Sequence, residues 1–240
     1  MFDPSAVKAL TFDVFGTVVD WRSSIARDLG GYFAKRTPPI ERDWARFADR
    51  WRKKYQPAME RVRSGGRGFV KLDVLHLENL RENLAEFEIA GLSEAEIDHV
   101  NRVWHRLDPW PDSVPGMTRL RRRYALAALS NGNVALMVDM AKRAGLPWDA
   151  ILGAETARAY KPQPEAYLRA AEMLSLDPAQ CMMVAAHNAD LHAAAKCGFR
   201  TAFIRRPYEY GKLKTYDLAA EAGIDLDCGD MNDLAAKLGC

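Results

Sequence analysis

The sequence predicts an α/β fold: a mostly parallel sheet with helices on both faces, interrupted early by an inserted all-α cap. Three observations carry this. Short apolar runs of strand length alternate with segments of helical period from Ala125 to Ile204. A first apolar run, Val7 to Phe12, delivers an acid, Asp13, directly to the turn Gly16-Thr17. Between roughly Trp21 and Trp110 the strand rhythm stops, and that stretch contains no convincing strand.

Taken in order, Val7 to Asp13 reads as a buried strand. Ala125 to Leu129 is the next strand candidate, followed by Ser130-Asn131-Gly132 and a helical pattern from Val134 to Ala144. Gly145-Leu146-Pro147 supplies the usual stop residues for that helix. Ala150 to Leu152 is a short strand, Pro164 to Leu174 a helix, and Cys181 to Ala185 a further strand. A helix then runs from about Asn188 to Lys196 and stops at Gly198, with Thr201 to Ile204 as the last core strand. The core is therefore assigned to residues 1–20 and 111–240.

The cap is assigned to residues 21–110. Trp44, Phe47, Trp51 and Tyr55 recur at three- or four-residue spacing, the pattern of a packed helix face. Ser64-Gly65-Gly66 and Gly91-Leu92-Ser93 divide the region into about four helices, and Ser93 with Glu96 has the form of a capping box.

Composition narrows the function classes. Hydrophobic residues make up 48% and charged residues 28%, the balance of an ordinary globular chain, and the net charge of +2 argues against a nucleic-acid or membrane surface. The basic clusters Arg121-Arg122-Arg123 and Arg205-Arg206 read as solvated surface. The four cysteines, Cys181, Cys197, Cys228 and Cys240, contain no C-x-x-C pair, so neither a zinc site nor a redox pair is expected. Met1-Phe2-Asp3-Pro4 lacks the pattern of a signal peptide, and no apolar run reaches bilayer length. A reducing cytoplasm is the expected compartment.

In an open α/β sheet, ligands bind beyond the carboxyl ends of the strands. Four polar groups fall there: Asp13, Ser130-Asn131, Lys161 and the segment His187 to Asp190. An acid after a strand is by itself usually a turn or helix cap. Four such groups in this order and spacing point to a site.

These segments resemble the four motifs of the haloacid dehalogenase superfamily: Phe12-Asp13-Val14-Phe15-Gly16-Thr17, Ser130-Asn131-Gly132, Lys161-Pro162 and the segment around Asp190. The resemblance spans the chain and implies a Rossmann-like core with a helical cap. Most members of the superfamily are phosphatases or phosphotransferases, which is the alternative reading here. Two departures weigh against it. The phosphatase pattern has a second acid two residues after the nucleophile, where this chain has Phe15, and a metal-binding Asp where it has Ala186. Magnesium needs several oxygen ligands, so losing both acids removes most of that chemistry.

Halide leaves without a proton and carbon is attacked by a bare carboxylate, so the same departures suit a dehalogenase. The chain is similar to the type II, L-2-haloacid dehalogenases of the superfamily. That resemblance implies Asp13 as nucleophile, Thr17 positioning it, Lys161 keeping it ionised and Asp190 helping to activate water. It implies Ser130 and Asn131 at the substrate carboxylate and halide, and Arg52, from the pair Trp51-Arg52, receiving the halide. On residue type alone Arg52, within Arg50-Trp51-Arg52-Lys53-Lys54, would face solvent. Tyr167 is either an ordinary helix residue or a match to a family position. His187 stands where the family usually has Asn, with three roles open: binding substrate, orienting water, or bonding within the motif. His192 reads as helix surface. The expected partners are a small 2-haloacid and the released halide, with no cofactor and no metal, and a homodimer is compatible with the family. The aromatic and histidine content suggests a compact pocket.

Overall fold

The computed structural model describes residues 4–240; the N-terminal residues 1–3, read above for a leader pattern, lie outside them. A six-stranded sheet runs in the order β5-β4-β1-β6-β7-β8, and every neighbouring pair is parallel. Its strands are β1 (Ala9–Phe12), β4 (Ala125–Ser130), β5 (Ala150–Gly153), β6 (Cys181–Ala185), β7 (Arg200–Ile204) and β8 (Leu226–Cys228). β1 lies at the centre and is buried along its whole length, as a strand covered on both faces must be.

Side chains alternate between two apolar layers because successive residues of a strand point to opposite faces. Leu10, Phe12, Met182 and Val184 belong to one layer, with α6 (Val134–Ala144) and α10 (Met231–Lys237). Ala9, Cys181, Met183 and Ala185 belong to the other, with α8 (Pro164–Met173) and α9 (Asn188–Lys196). Each fully buried Leu, Phe or Met side chain contributes about 1.5–3 kcal/mol. Two short helices complete the core, α5 (Ser113–Leu120) and α7 (Ala154–Ala157).

The inserted segment folds as α1 (Trp21–Phe33), α2 (Trp44–Arg63), α3 (Leu72–Glu86) and α4 (Glu94–Asn101), then a 3-10 turn from Arg102 to Arg106. Local chemistry fixes these ends. Asp20 and Asp43 accept hydrogen bonds from Ser23 and Arg46 backbone N–H groups, and Ser93 with Glu96 closes the expected capping box. Phe47, Trp51 and Tyr55 are buried, while Trp44 at the end of the stripe is only half-buried.

Two expectations about the strands were not met. The segment 21–110 does contain a strand: β3 (Asp108–Pro109) pairs antiparallel with β2 (Val19–Asp20), tying the start of the helical insertion to its end. Thr201–Ile204 is also not the last core strand, because β8 follows it. The basic cluster at 205–206 divides. Arg205 is exposed, whereas Arg206 is buried, bonding the Thr17 carbonyl at 2.9 Å and clamping Asp112 at 2.8 and 2.7 Å. Arg121 to Arg123 is exposed, as expected.

Candidate active site

β1 ends at Phe12, so Asp13 is the first residue beyond the carboxyl edge of the central strand. Gly16, at φ +88°, then turns the chain back, a conformation glycine adopts without strain. The turn folds Thr17 against the acid: its hydroxyl donates to Asp13 Oδ2 at 2.8 Å while accepting from the Ala186 backbone N–H at 2.9 Å. The ends of β1 and β6 are thus joined at one point.

Lys161, reaching in beyond β5 and α7, is buried to 6% exposure. Its ammonium donates to Asp13 Oδ1 at 3.0 Å and to Asp190 Oδ2 at 2.5 Å. The Asn131 side-chain carbonyl accepts the Lys161 backbone N–H at 2.8 Å, which sets the direction of approach. Burial alone would push the Asp13 carboxyl upward. The Lys161 ammonium, joined by His187 and the Thr17 hydroxyl, overrides it and holds Asp13 far below the usual carboxylate range. Burial likewise works against the Lys161 charge, but Asp13 and Asp190 together raise its pKa. Tyr167 donates its hydroxyl to Asp190 Oδ1 at 2.6 Å, so its place is beside the acid.

His187 contacts Asp13 Oδ2 through Nδ1 at 3.2 Å and both oxygens of Glu209 through Nε2 at 3.2 and 3.1 Å. Glu209 was not foreseen. It is fully buried and also accepts from Lys214 Nζ at 3.1 Å and Trp21 Nε1 at 3.2 Å. Burial would raise its carboxyl, yet His187 and Lys214 hold it at about 2. His192 pairs with Glu221 at the surface.

From α2, Arg52 brings its guanidinium carbon to 4.1 Å from the Tyr55 ring centroid, 5.6 Å from Trp21 and 5.8 Å from Phe15. One of its terminal nitrogens, Nη1, is buried with no hydrogen-bond partner among the described residues. A buried unpaired guanidinium N–H is a costly group to keep, and an anion is what would satisfy it. Arg52 therefore faces the site and not solvent.

These groups line one cleft of about 890 Å³ between the insertion and the strand ends, with further walls from Arg63, Tyr210 and the segment 212–216. Asp13, Arg52, Asn131, Lys161, Tyr167, His187 and Asp190 all reach it; Thr17 and Ser130 do not. The expectation that Ser130 lines the pocket is thus not met. Its hydroxyl is turned into its own loop and accepts the Gly132 N–H at 3.0 Å. Nor is the pocket compact: a cleft of about 890 Å³ is many times larger than a two-carbon acid. Arg63 closes one side by donating to the Lys161 carbonyl at 3.1 Å.

A divalent cation does not fit this donor set. Each Asp13 oxygen already accepts from a protein donor, Lys161 on Oδ1 and Thr17 with His187 on Oδ2, Ala186 has no side-chain ligand, and Phe15 packs as a ring 5.6 Å from Trp104.

A family model described as haloacid dehalogenase-like hydrolase matches residues 7–198. The fold superimposes with a TM-score of 0.94 on the crystal structure of a defluorinating L-2-haloacid dehalogenase, 50% identical, covering 98% of this chain and 96% of that one. A second L-2-haloacid dehalogenase structure gives a TM-score of 0.92 at 47% identity, covering 97% and 98%. The chain is also 26% identical over 230 residues to (S)-2-haloacid dehalogenase 4A of Burkholderia cepacia, covering 87% of this chain and 90% of that one.

Proposed function

The chain belongs to the haloacid dehalogenase-like hydrolase family, and on that premise we propose that it hydrolyses small 2-haloacids to 2-hydroxyacids through an Asp13 ester, without a metal ion. One observation carries this reading: Asp13 stands ionised at the cleft floor, held by Lys161, Thr17 and His187 in place of a cation.

The chemistry follows from that arrangement. An oxygen of Asp13 attacks C2 from behind and expels halide, which the unpaired guanidinium of Arg52 receives. Asn131 anchors the substrate carboxylate, and the Ser130 hydroxyl holds the Asn131 loop through the Gly132 N–H. Water then attacks the Asp13 carbonyl carbon, with Asp190 as its base, oriented by Tyr167 and Lys161. One inversion at C2 converts an L-2-haloacid into a D-2-hydroxyacid. The helical segment 21–110 acts as a lid on a core of residues 1–20 and 111–240, and the β2–β3 ladder supports its hinge. No helix among the described residues is long and apolar enough to cross a membrane, and all four cysteines are free, which supports a reducing, cytoplasmic setting.

Halide release from fluoro-, chloro- and bromoacetate, with chiral analysis of lactate from L-2-chloropropionate, tests the proposal. Fluoroacetate belongs in the panel because of the defluorinating relative. Release from at least one substrate and D-lactate as product are expected. No halide from any substrate, alongside turnover of phosphate esters, would overturn it.

A further inference from the structure

His187 stands between two carboxylates, Asp13 on Nδ1 and Glu209 on Nε2. An ionised carboxylate only accepts hydrogen bonds, and a neutral imidazole carries a single N–H. Both contacts are hydrogen bonds only when the ring is an imidazolium. Burial works against that charge, but Glu209 and Asp13 prevail and raise the ring to about 10. Glu209 reaches the ring because Gly16 has no side chain: a Cβ there would sit 2.2 Å from Glu209 Oε1.

The two oxygens of Asp13 are consequently not equivalent. Oδ2 has two donors, the Thr17 hydroxyl at 2.8 Å and His187 Nδ1 at 3.2 Å, whereas among the described residues Oδ1 has only Lys161 Nζ at 3.0 Å. With about two lone pairs on each oxygen, Oδ2 is filled and Oδ1 keeps one free. Oδ1 is therefore the atom that bonds C2, and Oδ2 becomes the carbonyl oxygen of the ester.

We propose that Thr17 and the His187 imidazolium form the oxyanion hole for hydrolysis of the Asp13 ester, with Glu209 as the positioning residue that keeps the ring charged and in place. The assignment rests on the dehalogenase reading above. Water adds to Asp13 Cγ and gives one proton to Asp190, while the carbonyl electron pair moves onto Oδ2 between the two donors. When that pair returns, the Cγ–Oδ1 bond breaks, and Oδ1 leaves as the product hydroxyl with a proton from Lys161. Lys161 recovers that proton from Asp190, 2.5 Å away. The acid left on Asp13 releases its remaining proton to solvent. Preorganised donors of this kind stabilise charge that exists only in the transition state. The charged groups facing the ring are Asp13 and Glu209, with Lys161 and Asp190 beyond the first and Lys214 and Arg52 beyond the second.

Rapid-quench kinetics with chloroacetate on the intact chain, read by free halide and by mass spectrometry of the Asp13 ester, test this. Removing one oxyanion donor costs about 10²–10³-fold. In His187→Ala, checked for folding by thermal melting, ester hydrolysis should slow by that factor while the first halide burst changes by less than about tenfold, so the ester accumulates. Glu209→Gln, checked for folding by thermal melting, should keep the burst and lose kcat with rising pH earlier than wild type. That direction follows because a raised imidazole is charged below its pKa and loses its function above it. Burst and turnover slowed equally, with no ester accumulating, would overturn the assignment. So would a Glu209→Gln kcat that falls as the pH drops, the mark of a general base. Absence of any halide release by wild type would instead remove the dehalogenase reading itself.

Discussion

Replacing Lys161 with methionine removes one charge and keeps most of the volume, so it isolates what the ammonium does for Asp13. Two unit charges 3.0 Å apart attract by about 5 kcal/mol at an effective dielectric near 20, roughly four pH units on the carboxyl. Burial of a carboxyl acts in the opposite direction by up to about 3–5 units. With Lys161 gone, burial is resisted by His187 and Thr17. The acid limb of kcat/KM, far below neutrality in the wild type, should then appear between about pH 5 and 8. Halide release from chloroacetate across pH 4–9 measures it. The depressed Asp13 pKa also contributes stability that is present above the unfolded carboxyl value of about 3.9 and lost as pH falls below it. In the variant, breaking the buried pair costs about 3–5 kcal/mol near neutrality, and the melting gap to wild type should narrow toward about pH 4 as Asp13 protonates. A variant whose acid limb stays below pH 4 while kcat alone falls would refute this reasoning, leaving Lys161 as a proton donor only.

Three further outcomes are expected. Arg52→Lys should lose about 10²-fold in kcat/KM for chloroacetate with little change in melting temperature, because a point charge replaces the planar fork whose Nη1 lacks a protein partner; wild-type kinetics would return Arg52 to a packing role. Gly16→Ala should destabilise by at least about 1–3 kcal/mol, since alanine is strained at φ +88° and its Cβ would strike Glu209; unfolding in urea measures it, and an unchanged midpoint would contradict it. Turnover should survive excess chelator, because Phe15 and Ala186 supply no ligand for magnesium and the oxygens of Asp13 are held by Lys161, Thr17 and His187; activity lost with chelator and restored by magnesium would count against the mechanism.

How much of this was legible in the sequence depends on which forces act locally. The strands ending at Phe12, Ser130 and Ala185 announce themselves by apolar runs followed by polar residues, and helix α6 has both a periodic face and a glycine stop at Gly145. Those signals were enough to gather Asp13, Asn131, Lys161 and Asp190 at one edge. β8 was missed because it is three residues long with charged Asp227 in its middle. β2 and β3 are two residues each, held by tertiary closure of the insertion and not by propensity. Glu209 and Lys214 lie in the stretch beyond Ile204 that has neither periodicity nor a motif, and the distant partners of Glu209, His187 and Trp21, are 22 and 188 residues away. The one available signal was an unexplained His187 in the fourth motif, a ring whose second nitrogen needed a partner. Arg206 was misread for a related reason: a basic pair looks like surface until Asp112 and the Thr17 carbonyl are seen to claim one member.

A single turnover in oxygen-18 water, with enzyme in excess over chloroacetate, decides whether Asp13 is the nucleophile. If Oδ1 bonds C2 and water then attacks Cγ, one carboxylate oxygen of Asp13 leaves in the product and is replaced from solvent. Mass spectrometry of the peptide containing Asp13 should therefore find the label in the protein and unlabelled glycolate in solution. Direct attack on C2 by activated water does the reverse, and label found in glycolate with none in Asp13 would contradict the covalent mechanism.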